Sequence, residues 1–122
     1  MIQQQFRAGS LDRLPGQWTM HTYIGTKLFE DQLQLSPDAQ GRLQGSVSVP
    51  GGFTAPVEAL NGPDETHFSF EIRPNEGNGQ FRVAYRGEFD PQADVFVGFA
   101  SLPDQNDQLI GGFVGQRNPA PR

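Results

Sequence analysis

The sequence predicts an all-β protein: an antiparallel up-and-down meander of eight strands that closes into a barrel. Turn signals recur about every ten residues from Gly16 onward, and the segments between them alternate apolar with polar residues. No two neighbouring segments leave room for a crossover helix. The composition agrees, since 15 glycines, 10 prolines and 10 phenylalanines in 122 residues suit short strands joined by tight turns. Closure is favoured because it removes the unpaired sheet edges.

The predicted strands are separated by clusters of Gly, Pro, Asn and Asp, with Asn78-Gly79 as the strongest hairpin signal. Pro56, inside the fourth strand, predicts a bulge or an exposed edge, because proline donates no ladder hydrogen bond. In order, the strands are GQWTMHTYI, LFEDQLQL, RLQGSVSV, FTAPVEAL, THFSFEI, QFRVAYRGEF, VFVGFASL and QLIGGFVGQR.

The domain organisation that follows is a single barrel over residues 16–117. Residues 1–15 are expected to form an N-terminal arm that caps the barrel, with the first nine frayed, and 118–122 a flexible tail. With Trp18 facing inward, alternation gives each strand one apolar stripe toward the core. The inward set comprises Trp18, Met20, Thr22, Ile24, Phe29, Asp31, Leu33, Leu35, Leu43, Gly45, Val47, Val49, Phe53, Ala55, Val57, Phe68, Phe70, Ile72, Phe81, Val83, Tyr85, Gly87 and Phe89.

Charge and composition exclude several classes of function. A net charge of −5 argues against non-specific binding to nucleic acid or to an anionic membrane, both of which need a basic surface. The absence of cysteine excludes disulfides and thiolate chemistry. His21 and His67 are expected on the outer surface of distant strands, so we predict no metal site and no cofactor. Without a secretory signal or a membrane-spanning run, the expected location is the cytoplasm.

Gly16-Gln17-Trp18, at the start of the first of eight meandering strands, resembles the G-x-W motif of the calycins. This superfamily comprises the lipocalins, fatty-acid-binding proteins and avidins. The resemblance implies that Trp18 plugs one end of the barrel and that a basic residue near the end of the last strand, here Arg117, packs across its ring. It also implies a non-enzymatic, lipocalin-like binding module. The T-D-Y motif of lipocalins is missing, and no later tryptophan could line a biotin pocket.

An eight-stranded barrel can either be filled by its own side chains or hold one small ligand. If it holds a ligand, a small apolar molecule is expected at the end away from Trp18, where a few polar groups lie on an apolar wall. The candidate ligand-binding residues are Met20, Thr22, Asp31, Phe68, Phe70 and Tyr85.

Two other functions remain open. A small-barrel cyclase or isomerase could hold an apolar substrate in the barrel and use Asp31 and Tyr85 as its catalytic polar groups. An interaction protein resembling the calycin-like protease inhibitors could use residues 1–15 as an extended arm. Serine catalysis has no support, because the G-x-S-x-G motif is missing.

The last two predicted strands are apolar on both faces, unlike the earlier ones. An outward apolar patch over neighbouring strands is typical of a contact surface, and its glycines would let a partner approach closely. The sequence therefore predicts a homodimer through these strands. The alternative is that the segment around Phe6 and Leu11 covers the patch. The predicted interface residues are Val97, Phe99, Ile110, Gly112 and Val114.

Overall fold

The computed structural model describes residues 14–40, 42–52, 54–62, 66–73, 82–90 and 92–119. Within these ranges the chain is built of antiparallel strands and one short 3₁₀ helix, Pro103–Gln105. No helix in the described part is long and apolar enough to cross a membrane. The strands are β1 (Gly16–Ile24), β2 (Lys27–Pro37), β3 (Leu43–Ser48), β4 (Thr54–Pro56), β5 (Glu58–Asn61), β6 (His67–Ile72), β7 (Val83–Asp90), β8 (Val95–Leu102) and β9 (Gln108–Arg117).

All the strands belong to one sheet, in the order β4-β3-β2-β1-β9-β8-β7-β6-β5. Consecutive strands pair from β1 to β4 and from β5 to β9, and β1 also pairs with β9, so the meander curls back on itself. The two edge strands, β4 and β5, are consecutive parts of the segment 54–61, which pairs with β3 at its start and with β6 at its end. The result is a nearly closed up-and-down barrel.

The structure corrects the predicted number of strands from eight to nine, because the fourth predicted strand is broken in two. The backbone amide of Val57 still donates to the carbonyl of Gly45 at 2.8 Å, which continues the β3–β4 register one position past Pro56. Ala59 then adopts a positive φ of 53°, and the pairing of β5 with β6 shifts register. Pro56 signalled an interruption, but the sequence did not show that both halves would remain paired.

Most of the predicted inward stripe is buried on the described strands, whereas Ile24, Phe29, Leu43, Val49 and Val57 are only partly buried. Trp18, Met20 and Thr22 are buried on β1, and the same alternation buries residues of every long strand. On the last two strands, which the sequence left ambiguous, Phe96 and Phe113 face the core. Phe53, Phe81 and the Asn78-Gly79 turn lie outside the described residues, as do 1–13 of the arm and 120–122 of the tail.

Inward glycines make room for the largest core side chains. A Cβ placed at any of three glycines would lie between 2.1 and 2.7 Å from the ring of the phenylalanine opposite it on the neighbouring strand. Such a Cβ could not be accommodated without displacing the ring. These glycines therefore let the phenylalanine rings pack directly against the backbone of the barrel wall. The pairs are Phe68 with Gly87, Phe113 with Gly98, and Phe96 with Gly115.

Candidate functional site

One end of the barrel is closed around Trp18, which is fully buried. Its indole Nε1 donates to the carbonyl of Leu14 at 2.9 Å, and Cζ of Arg117 lies 4.3 Å from the ring centroid. The same guanidinium donates to the carbonyl of Pro15 at 2.7 Å and to Oδ2 of Asp94 at 2.8 Å. This end therefore has a structural role: it holds the start of β1 against the end of β9.

A small polar group lies deeper in the barrel, at the side chains of Thr22, Asp31 and Tyr85, which are 1%, 4% and 4% exposed. The Thr22 hydroxyl donates to Oδ2 of Asp31 at 3.4 Å, a long hydrogen bond. Oδ1 of Asp31 has no hydrogen-bond partner among the described residues. Met20 is opposite Asp31 in the β1–β2 pair. The polar residues predicted to face inward are thus brought close together.

Burial sets the ionisation of this group. Loss of solvation raises the pKa of Asp31, and the Thr22 hydroxyl and the nearby His21 lower it by less. Burial also raises the pKa of the Tyr85 phenol, and the negative charge of Asp31 raises it further. Tyr85 is therefore a neutral phenol at physiological pH, able to donate or accept a hydrogen bond but not to act as a base.

Aromatic rings fill the space around this polar group. Phe70 stacks on Tyr85 at 4.9 Å between centroids, and Phe68 stacks on Phe70 at 6.2 Å. Edge-on and tilted ring contacts connect this cluster to Trp18 at the plugged end. The connected rings are Trp18, Phe68, Phe70, Tyr85, Phe89, Phe96 and Phe113.

The outer surface carries a contiguous apolar area, which we call the outer patch and define as Tyr23, Val97, Phe99, Gly112 and Val114. The exposed fraction is 56% for Tyr23, 49% for Val97, 62% for Phe99 and 41% for Val114. Val97 is opposite Val114, and Gly112 has Phe99 on one side and Tyr23 on the other. The outer patch therefore spans three adjacent strands, β8, β9 and β1.

Ile110, which the sequence placed in the predicted interface, packs against the core instead. The cause is an irregularity in the β8–β9 pair: Ala100 is opposite Gly111 and Ser101 is opposite Leu109, so Ile110 is the extra residue. Alternation alone does not reveal such an insertion. The other predicted interface residues, Val97, Phe99, Gly112 and Val114, lie together on the outer patch.

Charged side chains flank the outer patch on both sides. On β7, Glu88 is opposite Val97 and Arg86 is opposite Phe99. On β1, His21 is opposite Val114. Beside Phe99, an open depression of about 590 Å³ is lined in part by Arg86, Glu88 and Val97. Sequence reasoning missed these flanking residues and Tyr23, because their adjacency to the patch requires the register across β7, β8, β9 and β1.

The two histidines each lie near a carboxylate on the outer surface. Nε2 of His21 is 3.6 Å from Glu30, and Nε2 of His67 is 4.0 Å from Glu88. These pairs belong to different strand pairs, β1–β2 and β6–β7. Within the described ranges, no three His, Cys, Asp or Glu side chains form a group that could hold a metal ion.

Comparison with known proteins gives no relative for this chain. No protein-family model matches it. The searches of the curated proteins and of the solved structures likewise found no significant match. What can be said about function therefore comes from the geometry described above.

Proposed function

We propose that this chain is a calycin-like β-barrel that acts as a non-enzymatic binding module, and that it binds a second copy of itself through the outer patch. The observation that carries the proposal is the continuous exposure of Tyr23, Val97, Phe99 and Val114 on three adjacent strands. Elsewhere on the same outward face, the side chains of Thr19, Gln32 and Asn118 form a polar hydrogen-bonded cluster. The apolar area is therefore local.

The energetic argument depends on symmetry. Burying one large apolar side chain contributes about 1.5–3 kcal/mol, whereas association costs at least about 4 kcal/mol in lost freedom of motion. In a two-fold dimer each residue of the outer patch contributes twice, once from each copy. Four partly exposed side chains, counted from both copies, are therefore enough to offset that cost. A closely fitting outer patch thus supports a homodimer.

Removal of Phe99 tests this proposal by sedimentation velocity and light scattering. At tens of micromolar the unmodified chain is expected to have the mass of a dimer, and Phe99→Ser to raise the dissociation constant at least about tenfold. Gln44→Ser is the control, because Gln44 is an exposed side chain of β3, which β2 and β1 separate from the patch strand β9. A monomer across the concentration range, or equal effects of the two variants, would refute the proposal.

A second candidate function, binding of a small apolar ligand inside the barrel, is favoured by one observation. Asp31 places a carboxylate oxygen without a described partner among apolar side chains, and an oxygen of that kind suits a ligand that donates one hydrogen bond. Thr22, Tyr85, Met20 and Phe70 would then form the wall.

Native mass spectrometry of the freshly purified chain tests this second candidate. We expect a small-molecule adduct on the unmodified protein that is reduced at least about fivefold in Asp31→Asn, because the amide would present a different pattern of donors and acceptors. Asp104→Asn, at an exposed carboxylate near the 3₁₀ helix, should leave the adduct unchanged. Spectra in which the unmodified protein carries no adduct would exclude the candidate.

A further inference from the structure

We propose a specific arrangement for the dimer: its two-fold axis runs parallel to the strands, between β8 and β9, so that the two outer patches face each other with parallel strands. This inference rests on the proposed function, since it specifies how the second copy is placed. It follows from the order of side chains along two rows that cross the four strands β7, β8, β9 and β1.

Each row consists of directly opposite residues on neighbouring strands, and all of them face outward. Read from β7 to β1, the first row is Glu88, Val97, Val114 and His21: an acid, two apolar side chains and an imidazole. In the same order, the second row is Arg86, Phe99, Gly112 and Tyr23: a guanidinium, an aromatic ring, a glycine and a second aromatic ring.

A 180° rotation about the proposed axis places each row against the same row of the partner, in the reverse strand order. In the first row, Glu88 then faces the partner's His21, and Val97 faces the partner's Val114. In the second row, Arg86 faces the partner's Tyr23, and Phe99 faces the partner's Gly112. Each contact occurs twice, once on each side of the axis.

The pairs made in this way are chemically complementary. A carboxylate meets an imidazole, and a guanidinium meets the face of a tyrosine ring, which is a favourable cation–π arrangement. The two valines extend the apolar centre of the contact. Like charges do not meet in either row, so the charge pattern is compatible with this placement.

The pairing of Phe99 with the partner's Gly112 also fits in shape. Inside the barrel, three phenylalanines cover the glycine opposite them on the adjacent strand. Phe99 does not cover its own opposite glycine: of the described atoms, only the carbonyl oxygen of Gly98 lies within 4 Å of a Cβ placed at Gly112, at 3.4 Å. The surface above Gly112 is therefore open to a ring from a second copy.

Curvature of the barrel is compatible with the arrangement. Two convex surfaces touch closely along β8 and β9 and diverge toward β7 and β1. The residues on β7 and β1 are Arg86, Glu88, His21 and Tyr23, whose long side chains can bridge the wider gap. The depression beside Phe99, bounded by Arg86 and Glu88, lies where the partner's Tyr23 would enter.

A two-fold axis across the strands is the competing placement. It would put Glu88 opposite the partner's Arg86, which is also complementary, but Phe99 opposite the partner's Val97. Gly112 would then face the partner's Val114 and the opening above it would be filled by a smaller side chain. Because Phe99 is the most exposed ring of the patch, we favour the placement that gives it the open position.

Charge variants of the full chain distinguish the two placements. His21→Glu places carboxylates at both ends of the first row, and the double variant His21→Lys with Glu88→Lys places ammonium groups there. With the proposed axis, each variant alone brings like charges together twice, and the dissociation constant should rise at least about tenfold. An equimolar mixture brings opposite charges together twice, and should form a heterodimer within about threefold of the original affinity.

Restored association in the mixture would show that positions 21 and 88 meet between two copies of the chain. Within one protomer, positions 21 and 88 are separated by β8 and β9, which is about 14 Å at the usual strand spacing. Thermal unfolding of each variant, within a few degrees of the unmodified chain, serves as the folding control. The measurement is light scattering of the separate and mixed samples, with native mass spectrometry to identify the heterodimer.

Each outcome has a definite meaning. A dimeric unmodified chain without rescue by mixing would overturn the arrangement and leave the proposed function intact, whereas a monomeric unmodified chain would overturn both. Rescue by a mixture of Arg86→Glu with Glu88→Lys, but not by the first pair, would establish the axis across the strands instead.

Gly112→Ala gives an independent measurement. The protomer has room for the methyl group, since the nearest described atom would be 3.4 Å from it. With the proposed axis, the methyl group occupies the place of the partner's Phe99, and the dissociation constant should rise about threefold or more. Unchanged or tighter association would contradict the arrangement, because the competing placement gains a contact at this position.

Discussion

Two aspartates, one at the plugged end of the barrel and one deeper inside, illustrate two ways in which this fold holds a carboxylate. Asp94 receives a 2.8 Å hydrogen bond from the Arg117 guanidinium, whereas Asp31 receives a 3.4 Å hydrogen bond from the Thr22 hydroxyl. In each, the second oxygen is buried without a described partner. The difference between them is the counterion, since Asp94 faces a permanent positive charge.

The plugged end and the Asp31 region have different roles. The plugged end joins the first and last strands through Trp18, Arg117 and Asp94, and closing the barrel stabilises the whole sheet. The Asp31 region contributes no such cross-link, and the desolvation of its carboxylate outweighs the effects of the Thr22 hydroxyl and the nearby His21. Loss of the Arg117 contacts should therefore destabilise the fold, whereas removal of the charge of Asp31 should stabilise it.

The larger effect is expected at Arg117. Arg117→Met keeps an apolar stem over Trp18 but removes the cation–π contact and the hydrogen bonds to Pro15 and Asp94. The free energy of unfolding should fall by about 2–3 kcal/mol, measured by urea denaturation. Arg117→Lys retains the charge but not the planar fork, and should lose about half as much.

A double-mutant cycle sharpens this prediction. Asp94→Asn should cost less in the Arg117→Met background than in the unmodified chain, because the carboxylate has already lost its counterion. Additive losses would show that the two side chains do not act together. A loss below about 0.5 kcal/mol for Arg117→Met would mean that the plug does not need its guanidinium.

Much of the fold could be predicted because period-two alternation and turn residues act locally. Trp18, Met20 and Thr22 had to share one face of β1, and the same rule placed Asp31 and Tyr85 inside. Two departures from simple alternation came from backbone irregularities. The break between β4 and β5 accompanies a positive φ at Ala59 and a register shift against β6, and the position of Ile110 depends on an insertion in the β8–β9 register. Neither irregularity can be seen in the alternation of apolar and polar residues along the sequence.

The candidate site was less predictable, for a related reason. That Val97, Phe99 and Val114 would share an exposed face follows from the two-sided apolar pattern of the last strands. That Tyr23 joins them follows only from the pairing of β1 with β9. The rows of the proposed dimer need four strands in register, and a one-residue shift anywhere would reverse the facing of a strand.

The smaller effect is expected at Asp31, and it depends on pH. Because burial raises the pKa of the folded carboxyl above that of the unfolded chain, the folded state holds its proton more tightly. The stability that this proton contributes is fully present below the ordinary aspartate pKa, about 3.9, and is lost as the pH rises through the raised folded value. Asp31→Asn removes this dependence.

The Asp31→Asn variant should therefore match the unmodified chain near pH 4 and exceed it by about 1 kcal/mol at pH 7, in urea titrations at several pH values. Asp104→Asn provides the opposite control, since hydrogen bonding to Arg82 lowers the pKa of Asp104. That carboxylate stabilises the fold above its unfolded pKa, so its amide variant should be the less stable one at pH 7 and the difference should vanish in acid. If Asp31→Asn instead behaved like Asp104→Asn, a cation would compensate the buried carboxylate as it does Asp104, and the contrast between the plugged end and the Asp31 region would disappear.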